Sequence, residues 1–123
     1  MKKILFIEDE PKLQESVQKK LTSGGFTVIQ GVDGKDGIEK AIHELPDLIL
    51  LDIMLPGGMN GFDVLRDLKG NETTKLIPVV MLTNLDSEME TAMSMGAKDY
   101  IIKTDISLEN LLKKVEMYTA TAP

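Results

Sequence analysis

LILLDIMLPGGMNG, residues 48–61, decides how this chain is read. Four apolar residues, Leu48 to Leu51, run straight into one carboxylate, Asp52, and a short apolar step then reaches Pro56-Gly57-Gly58, where the chain must turn. A short apolar run closed by turn residues is a buried strand. A buried strand that ends on an acid and opens into a Gly/Pro loop puts that acid at the edge of a sheet. Asp52 is placed there as a nucleophile that accepts a phosphoryl group.

Outward from this stretch the chain alternates between two periods. Upstream, Ile4 to Ile7 is another apolar run, closed by Glu8-Asp9-Glu10. Pro11 suits the first turn of a helix, Leu13, Val17 and Leu21 recur at helical spacing, and Gly24-Gly25 stop it. Phe26 to Ile29 predicts a second strand, Asp33-Gly34 a turn, and Ile38, Ala41, Ile42 and Leu45 a second helix that ends before Pro46. Downstream, Phe62, Leu65 and Leu68 mark a third helix closed by Gly70, and Ile77 to Leu82 a fourth strand. Ser87 and Glu90 have capping-box spacing and open a fourth helix through Met93 and Met95 to Gly96. Tyr100 to Ile102 is the fifth strand, and Ser107 caps a fifth helix carrying Leu108, Leu111, Leu112, Val115 and Tyr118. The methionines at 89, 93 and 95 are expected to serve core and rim packing. His43, on a helix beside Glu39, Lys40 and Glu44, is expected to be solvated.

Strands apolar on both faces, alternating with amphipathic helices, imply a doubly wound α/β domain with a parallel sheet between helical layers. The length of 123 residues suits one domain over 1–118, with 119–123 as a short disordered tail. With no cysteine, disulfides and thiolate chemistry are excluded, and a cytoplasmic location fits. The apolar part of the N-terminus is too short for a secretion signal, and no segment is long enough to cross a membrane. A net charge of −6 argues against unspecific binding to nucleic acid or anionic lipid.

In parallel α/β sheets, ligands bind beyond the carboxyl ends of the strands. The polar residues at those ends are Glu8 and Asp9, Asp52, Thr83 and Asn84, and Lys103. Taken singly, such an acid is usually a helix cap, such a threonine a turn hydroxyl and such a lysine a surface residue. Complementary chemistry at four strand ends is another matter. Carboxylates sharing one crevice repel each other unless a hard cation sits among them, and Mg2+ takes oxygen ligands of this kind. Mg2+ and the Lys103 ammonium would neutralise a transferring phosphoryl group, and the Thr83 hydroxyl adds a hydrogen bond.

ILFIEDE at 4–10, LILLDIMLPG at 48–57, VVMLT at 79–83 and GAKDYIIK at 96–103 together resemble the receiver domain of bacterial two-component response regulators. The resemblance covers nearly the whole chain. It implies a (βα)5 flavodoxin-like three-layer sandwich with sheet order 2-1-3-4-5. It implies that Asp52 takes a phosphoryl group from a histidine kinase or phosphotransfer protein. Glu8, Asp9, Asp52 and the backbone carbonyl of Met54 would bind Mg2+, and Thr83 and Lys103 would contact phosphoryl oxygens. Tyr100 matches the family's switch aromatic, which turns inward as Thr83 moves toward the phosphate. The face formed by the fourth helix, fifth strand and fifth helix would then control a downstream protein, as a monomer or a phosphorylation-dependent dimer. The domain would catalyse its own phosphorylation and slow autodephosphorylation rather than steady turnover.

Three departures from the family pattern stand out. Thr104 follows Lys103 where proline after a cis bond is usual; a cis bond before a non-proline residue costs about 3 kcal/mol. Asn84 follows Thr83 where a small residue is commoner. The loop Pro56 to Gly61 is one residue longer than usual. No output domain is expected after the fifth helix, so direct DNA binding is not expected, and a stand-alone switch, a phosphorelay intermediate and a constitutive interaction module stay open. A flavin carrier fits poorly, because Glu8-Asp9-Glu10 would repel its phosphate. A dedicated phosphatase usually needs an acid two residues after the nucleophile, and position 54 is Met.

Overall fold

The structure, a computed structural model, describes residues 1–120. Five parallel strands, β1 (Lys3–Ile7), β2 (Thr27–Gly31), β3 (Leu48–Leu51), β4 (Val79–Thr83) and β5 (Asp99–Ile102), lie in the order β2-β1-β3-β4-β5. They alternate with α1 (Pro11–Ser23), α2 (Gly34–Glu44), α3 (Gly61–Gly70), α4 (Met89–Ser94) and α5 (Leu108–Thr119). This is the flavodoxin-like order expected.

Strand side chains alternate between two cores. Leu5, Ile7, Ile49, Leu51, Val79 and Met81 pack with Ala41 of α2, Val64, Leu65 and Leu68 of α3, and Ala92 of α4. Ile4, Phe6, Leu48, Leu50, Val80, Leu82 and Ile101 pack with Val17 and Leu21 of α1 and Leu111 and Val115 of α5. Both faces of the sheet are therefore covered, which is why these strands read as unbroken apolar runs. Each fully buried leucine or isoleucine contributes roughly 1.5–3 kcal/mol.

The chain departs from the expected boundaries where backbone groups find other partners. Phe26 precedes β2 because its N–H donates to the Leu21 carbonyl, closing α1. β4 starts at Val79, since the Ile77 N–H is taken by Thr74 in a turn and Pro78 has no N–H. Asp33 does not make a turn but caps α2, accepting from the Asp36 N–H at 2.8 Å. Leu45 adopts φ 46° as the C-cap of α2, and both Leu45 and Ile42 are exposed rather than in the core. The capping box on α4 does not form: Ser87 Oγ meets Glu88 Oε1 at 3.4 Å, and the helix starts from Glu88 without a side-chain cap. Met89 and Met93 are exposed, and of the three methionines only Met95 packs against the core. α5 continues through Thr119, whose hydroxyl donates to the Val115 carbonyl at 2.7 Å, so the expected tail does not begin at 119. Residues 121–123 of that tail lie outside the described residues.

The far end of α5 is fastened to the start of β5. Asp99 accepts from the Tyr118 hydroxyl at 2.5 Å, the Tyr100 N–H at 2.7 Å and the Lys114 ammonium at 3.3 Å. Burial works to raise the Asp99 carboxyl, but these bonds hold it below its usual value. Burial, with the bond to Asp99, pushes the Tyr118 hydroxyl up to about 12. A tyrosine raised in the fold stabilises it below the unfolded value of about 10 and loses that contribution as pH climbs through the folded value. Absorbance titration of the phenolates is clean here, because the chain has 2 tyrosines and no tryptophan. Tyr118 is expected to ionise near 12, and Tyr118→Phe to delete that step; a titration that ends near the free-tyrosine value would contradict the bond.

Candidate functional site

Strand order reverses between β1 and β3, and the crevice beyond their carboxyl ends collects the charged residues. Ile7 pairs with Leu51, so Glu8 and Asp52 leave the sheet side by side. The Asp52 N–H still donates to the Ile7 carbonyl at 3.1 Å, which holds the two strand ends together. Glu8 and Asp52 are buried, whereas Asp9 is exposed. One carboxylate oxygen from each of Glu8, Asp9 and Asp52 lies within 4.8 Å of the others. A cavity of about 330 Å³ opens over them, lined also by Glu10, Met54, Asn84 and Lys103.

Lys103 crosses from the end of β5 into this cluster. Its Nζ stands 2.8 Å from Asp52 Oδ2 and 2.5 Å from Glu8 Oε1. The other Glu8 oxygen, Oε2, accepts from the Asp9 N–H at 3.0 Å and the Glu10 N–H at 3.1 Å. Burial pushes the Glu8 carboxyl above the usual range, Asp52 adds to the rise, and Lys103 and the Glu10 N–H pull against it. For Lys103 burial acts downward, but the bonds to Asp52 and Glu8 hold the ammonium above its ordinary value. A charged lysine is therefore built into the acidic pocket. Asp52 Oδ1 is the less engaged oxygen, with the Met54 N–H at 3.3 Å.

The Lys103–Thr104 bond is trans, as are all peptide bonds among the described residues, and the chain leaves β5 through a 3-10 turn over Lys103–Asp105. With threonine in place of proline and the bond trans, the loop delivers the ammonium to Asp52. In the long loop after Asp52, Gly57 and Gly58 both take left-handed φ values, 87° and 86°. Asn84 is exposed at the rim of the cavity.

Thr83 is fully buried at the end of β4, and its Oγ1 accepts from the Leu85 N–H at 3.3 Å. That leaves the hydroxyl proton available to donate. Tyr100 is 9% exposed and its hydroxyl donates to the Leu85 carbonyl. The two residues expected to move together are thus joined through the backbone of Leu85. The Met54 side chain is exposed. His43 is exposed, away from the cluster on α2.

Two residues that support the site were not singled out from the sequence. Gln14 is buried beneath Glu8, and its only sequence signal is an amide in line with Val17 and Leu21. Gly61, the first residue of α3, sits against the backbone that carries Asp52. A Cβ there would lie 2.3 Å from the Asp52 carbonyl oxygen and 2.6 Å from Ile53 Cα. The Gly61 N–H also donates to the Ile53 carbonyl at 2.8 Å. Side by side with the Asn60–Asp63 capping box, this contact fixes where α3 begins.

The cluster offers three carboxylate oxygens, the kind of donor a hard divalent cation takes. Residues 4–116 match the family described as the response regulator receiver domain. Protein PilH of Pseudomonas aeruginosa is 34% identical over 122 residues, covering 98% of this chain and 99% of PilH. The response regulator ArlR of Staphylococcus saprophyticus is 35% identical over 123 residues, but the chain spans 54% of its length. Among solved structures, the BeF3-activated N-terminal receiver domain of Klebsiella pneumoniae RstA superposes with a TM-score of 0.87 at 36% identity, over 97% of this chain and 99% of that one. Chemotaxis protein CheY4 of Vibrio cholerae gives 0.86 at 27% identity, over 96% and 98%.

Gly61→Ala is expected to destabilise the protein by about 1–3 kcal/mol, the usual cost of forcing atoms into a packed position. Because the colliding atoms are backbone atoms of Asp52 and Ile53, its amide NMR shifts should change most at 52–54. A spectrum unchanged there, read alongside denaturant unfolding, would show that the contact does not place Asp52.

Proposed function

The chain belongs to the response regulator receiver domain family, and from that premise we propose that Asp52 accepts a phosphoryl group in a Mg2+-dependent reaction and thereby switches a protein-binding face. The observation that carries this reading is Lys103 Nζ held between Asp52 and Glu8 at 2.8 and 2.5 Å, inside a cluster of three carboxylates.

The chemistry is a transfer between nitrogen and oxygen. An Asp52 carboxylate oxygen bonds to phosphorus as the P–N bond to a donor histidine breaks, and the imidazole keeps the electron pair and takes a proton. Glu8, Asp9, Asp52 and the Met54 carbonyl would hold the cation. Bound Mg2+ supplies positive charge against the transferring phosphoryl oxygens. Lys103 adds a second fixed positive charge from within the protein, already aimed at Asp52. Thr83 has its hydroxyl proton free to donate to a phosphoryl oxygen once it moves toward Asp52. The new group brings about −1.5 to −2 charges at neutral pH.

The switch runs through Leu85. When Thr83 turns to the phosphoryl group, the Leu85 N–H loses its acceptor, and the loop that also holds the Tyr100 hydroxyl must adjust. An alternative packing of α4, β5 and α5 then gains population. That face would meet the downstream partner or a second copy of the domain. Asn84, an amide at the cavity rim, is positioned to limit access of water or donor to Asp52.

Incubation with Mg2+ and acetyl phosphate or phosphoramidate, read by intact mass, is expected to give one labile phosphate adduct. EDTA and Asp52→Asn should abolish it, and Lys103→Ala should lower its yield by an order of magnitude, roughly the loss of one charge-assisted hydrogen bond. An adduct that persists in Asp52→Asn, or a wild type unmodified by every donor, would refute the phosphoacceptor assignment.

A further inference from the structure

Gln14 lies on the buried face of α1, in line with Val17 and Leu21, and is 6% exposed. Its side chain turns back toward the sheet. Nε2 donates to the Glu8 carbonyl and, at 3.0 Å, to the Gly31 carbonyl. An amide nitrogen has two hydrogens, and both are used. Its acceptors stand where the β1–β2 ladder ends: Ile7 pairs with Gly31, and the Glu8 N–H donates to the Gly31 carbonyl at 2.9 Å. A side chain needed only to fill this position would be aliphatic, because burying an amide costs free energy unless its hydrogen bonds are made.

Those bonds hold one particular peptide unit. The group joining Glu8 to Asp9 consists of the Glu8 carbonyl and the Asp9 N–H. Gln14 holds the carbonyl, and the Glu8 carboxylate holds the N–H at 3.0 Å. With both ends fixed, the directions in which the Glu8 and Asp9 side chains leave the backbone are fixed as well. We infer that Gln14 is a positioning residue for the cation: by clamping the Glu8–Asp9 peptide it presets two of the three carboxylates, so that Mg2+ binds without first having to order the loop. This rests on the Mg2+-dependent reading given above. The physical basis is that groups which orient metal ligands matter to affinity nearly as much as the ligands do.

The test is an amide NMR titration of the full chain with MgCl2, in the absence of any phosphodonor. Gln14→Leu and Gln14→Met keep the apolar bulk and remove the donors. Val17→Ala, one turn further along α1 and fully buried, destabilises the same packing without touching the clamp. Asp9→Asn reports on the cation site itself. The wild type is expected to show saturable shifts at 8–10 and 52–54 that Asp9→Asn suppresses. Both Gln14 variants should bind Mg2+ about tenfold more weakly or worse, with dispersed spectra that certify the fold, while Val17→Ala keeps the wild-type affinity. Wild-type affinity in a folded Gln14 variant would overturn the inference and leave the Mg2+ reading standing. Equal weakening in Val17→Ala would also overturn it, since lost stability would then account for the effect. A wild type with no saturable shifts at these positions would overturn the Mg2+ reading and the inference with it.

Discussion

Ionised carboxylates in one crevice repel each other unless positive charge stands among them, and Lys103 is the charge this chain supplies from its own sequence. Glu8 and Asp52 arrive together because β1 and β3 pair in register up to Ile7 and Leu51. Asp9 follows Glu8 directly. Lys103 comes from β5, two strands away from β3 across the sheet. The apolar ladders between β3, β4 and β5 therefore determine how far its ammonium stands from Asp52. The arrangement spends packing energy to bring like charges close, and the lysine offsets part of the repulsion before any cation binds.

Much of this was legible in the sequence because the fold is covered on both sheet faces. Continuous apolar runs ending in polar residues can be read without knowing the topology, and Glu8, Asp9, Asp52, Thr83 and Lys103 all emerged at strand ends. That the three acids and the lysine meet in one crevice followed from a parallel sheet; Thr83, buried at the end of β4, does not line that crevice. The order of the strands followed from the family resemblance, since periodicity carries no such information. What stayed hidden depends on local backbone partners. The Ser87–Glu90 spacing suggested a cap, yet the helix begins at Met89 and the serine meets Glu88 instead. Gln14 looked like a polar residue between two apolar ones, because its acceptors belong to the backbone of two different strands. Gly61 looked like one of several loop glycines; only the approach of α3 to Ile53 makes its missing side chain a requirement.

On the proposed reading, the coupling between phosphoacceptor and binding face would have a short physical route. Thr83 and Tyr100 sit on neighbouring strands, and each bonds one end of the same residue, Leu85. The threonine is engaged as an acceptor only, so it can turn toward a new anion without first surrendering a donated bond. The tyrosine is already inside and held by the loop carbonyl. On that reading, signal transmission would be a competition for the Leu85 backbone rather than a displacement carried along a helix.

The brevity of α4 has a thermodynamic meaning of its own. Six residues without a side-chain cap lie far below the length at which a helix sustains itself in water, so α4 persists through its neighbours. Ala92 is fully buried and Met95 packs against the core, while Met89 and Met93 face outward. A segment so lightly held frays at low cost, and a binding partner can select or complete its folded form with little opposing free energy. The flexible thioethers of the outward methionines give such a partner a surface that reshapes to fit.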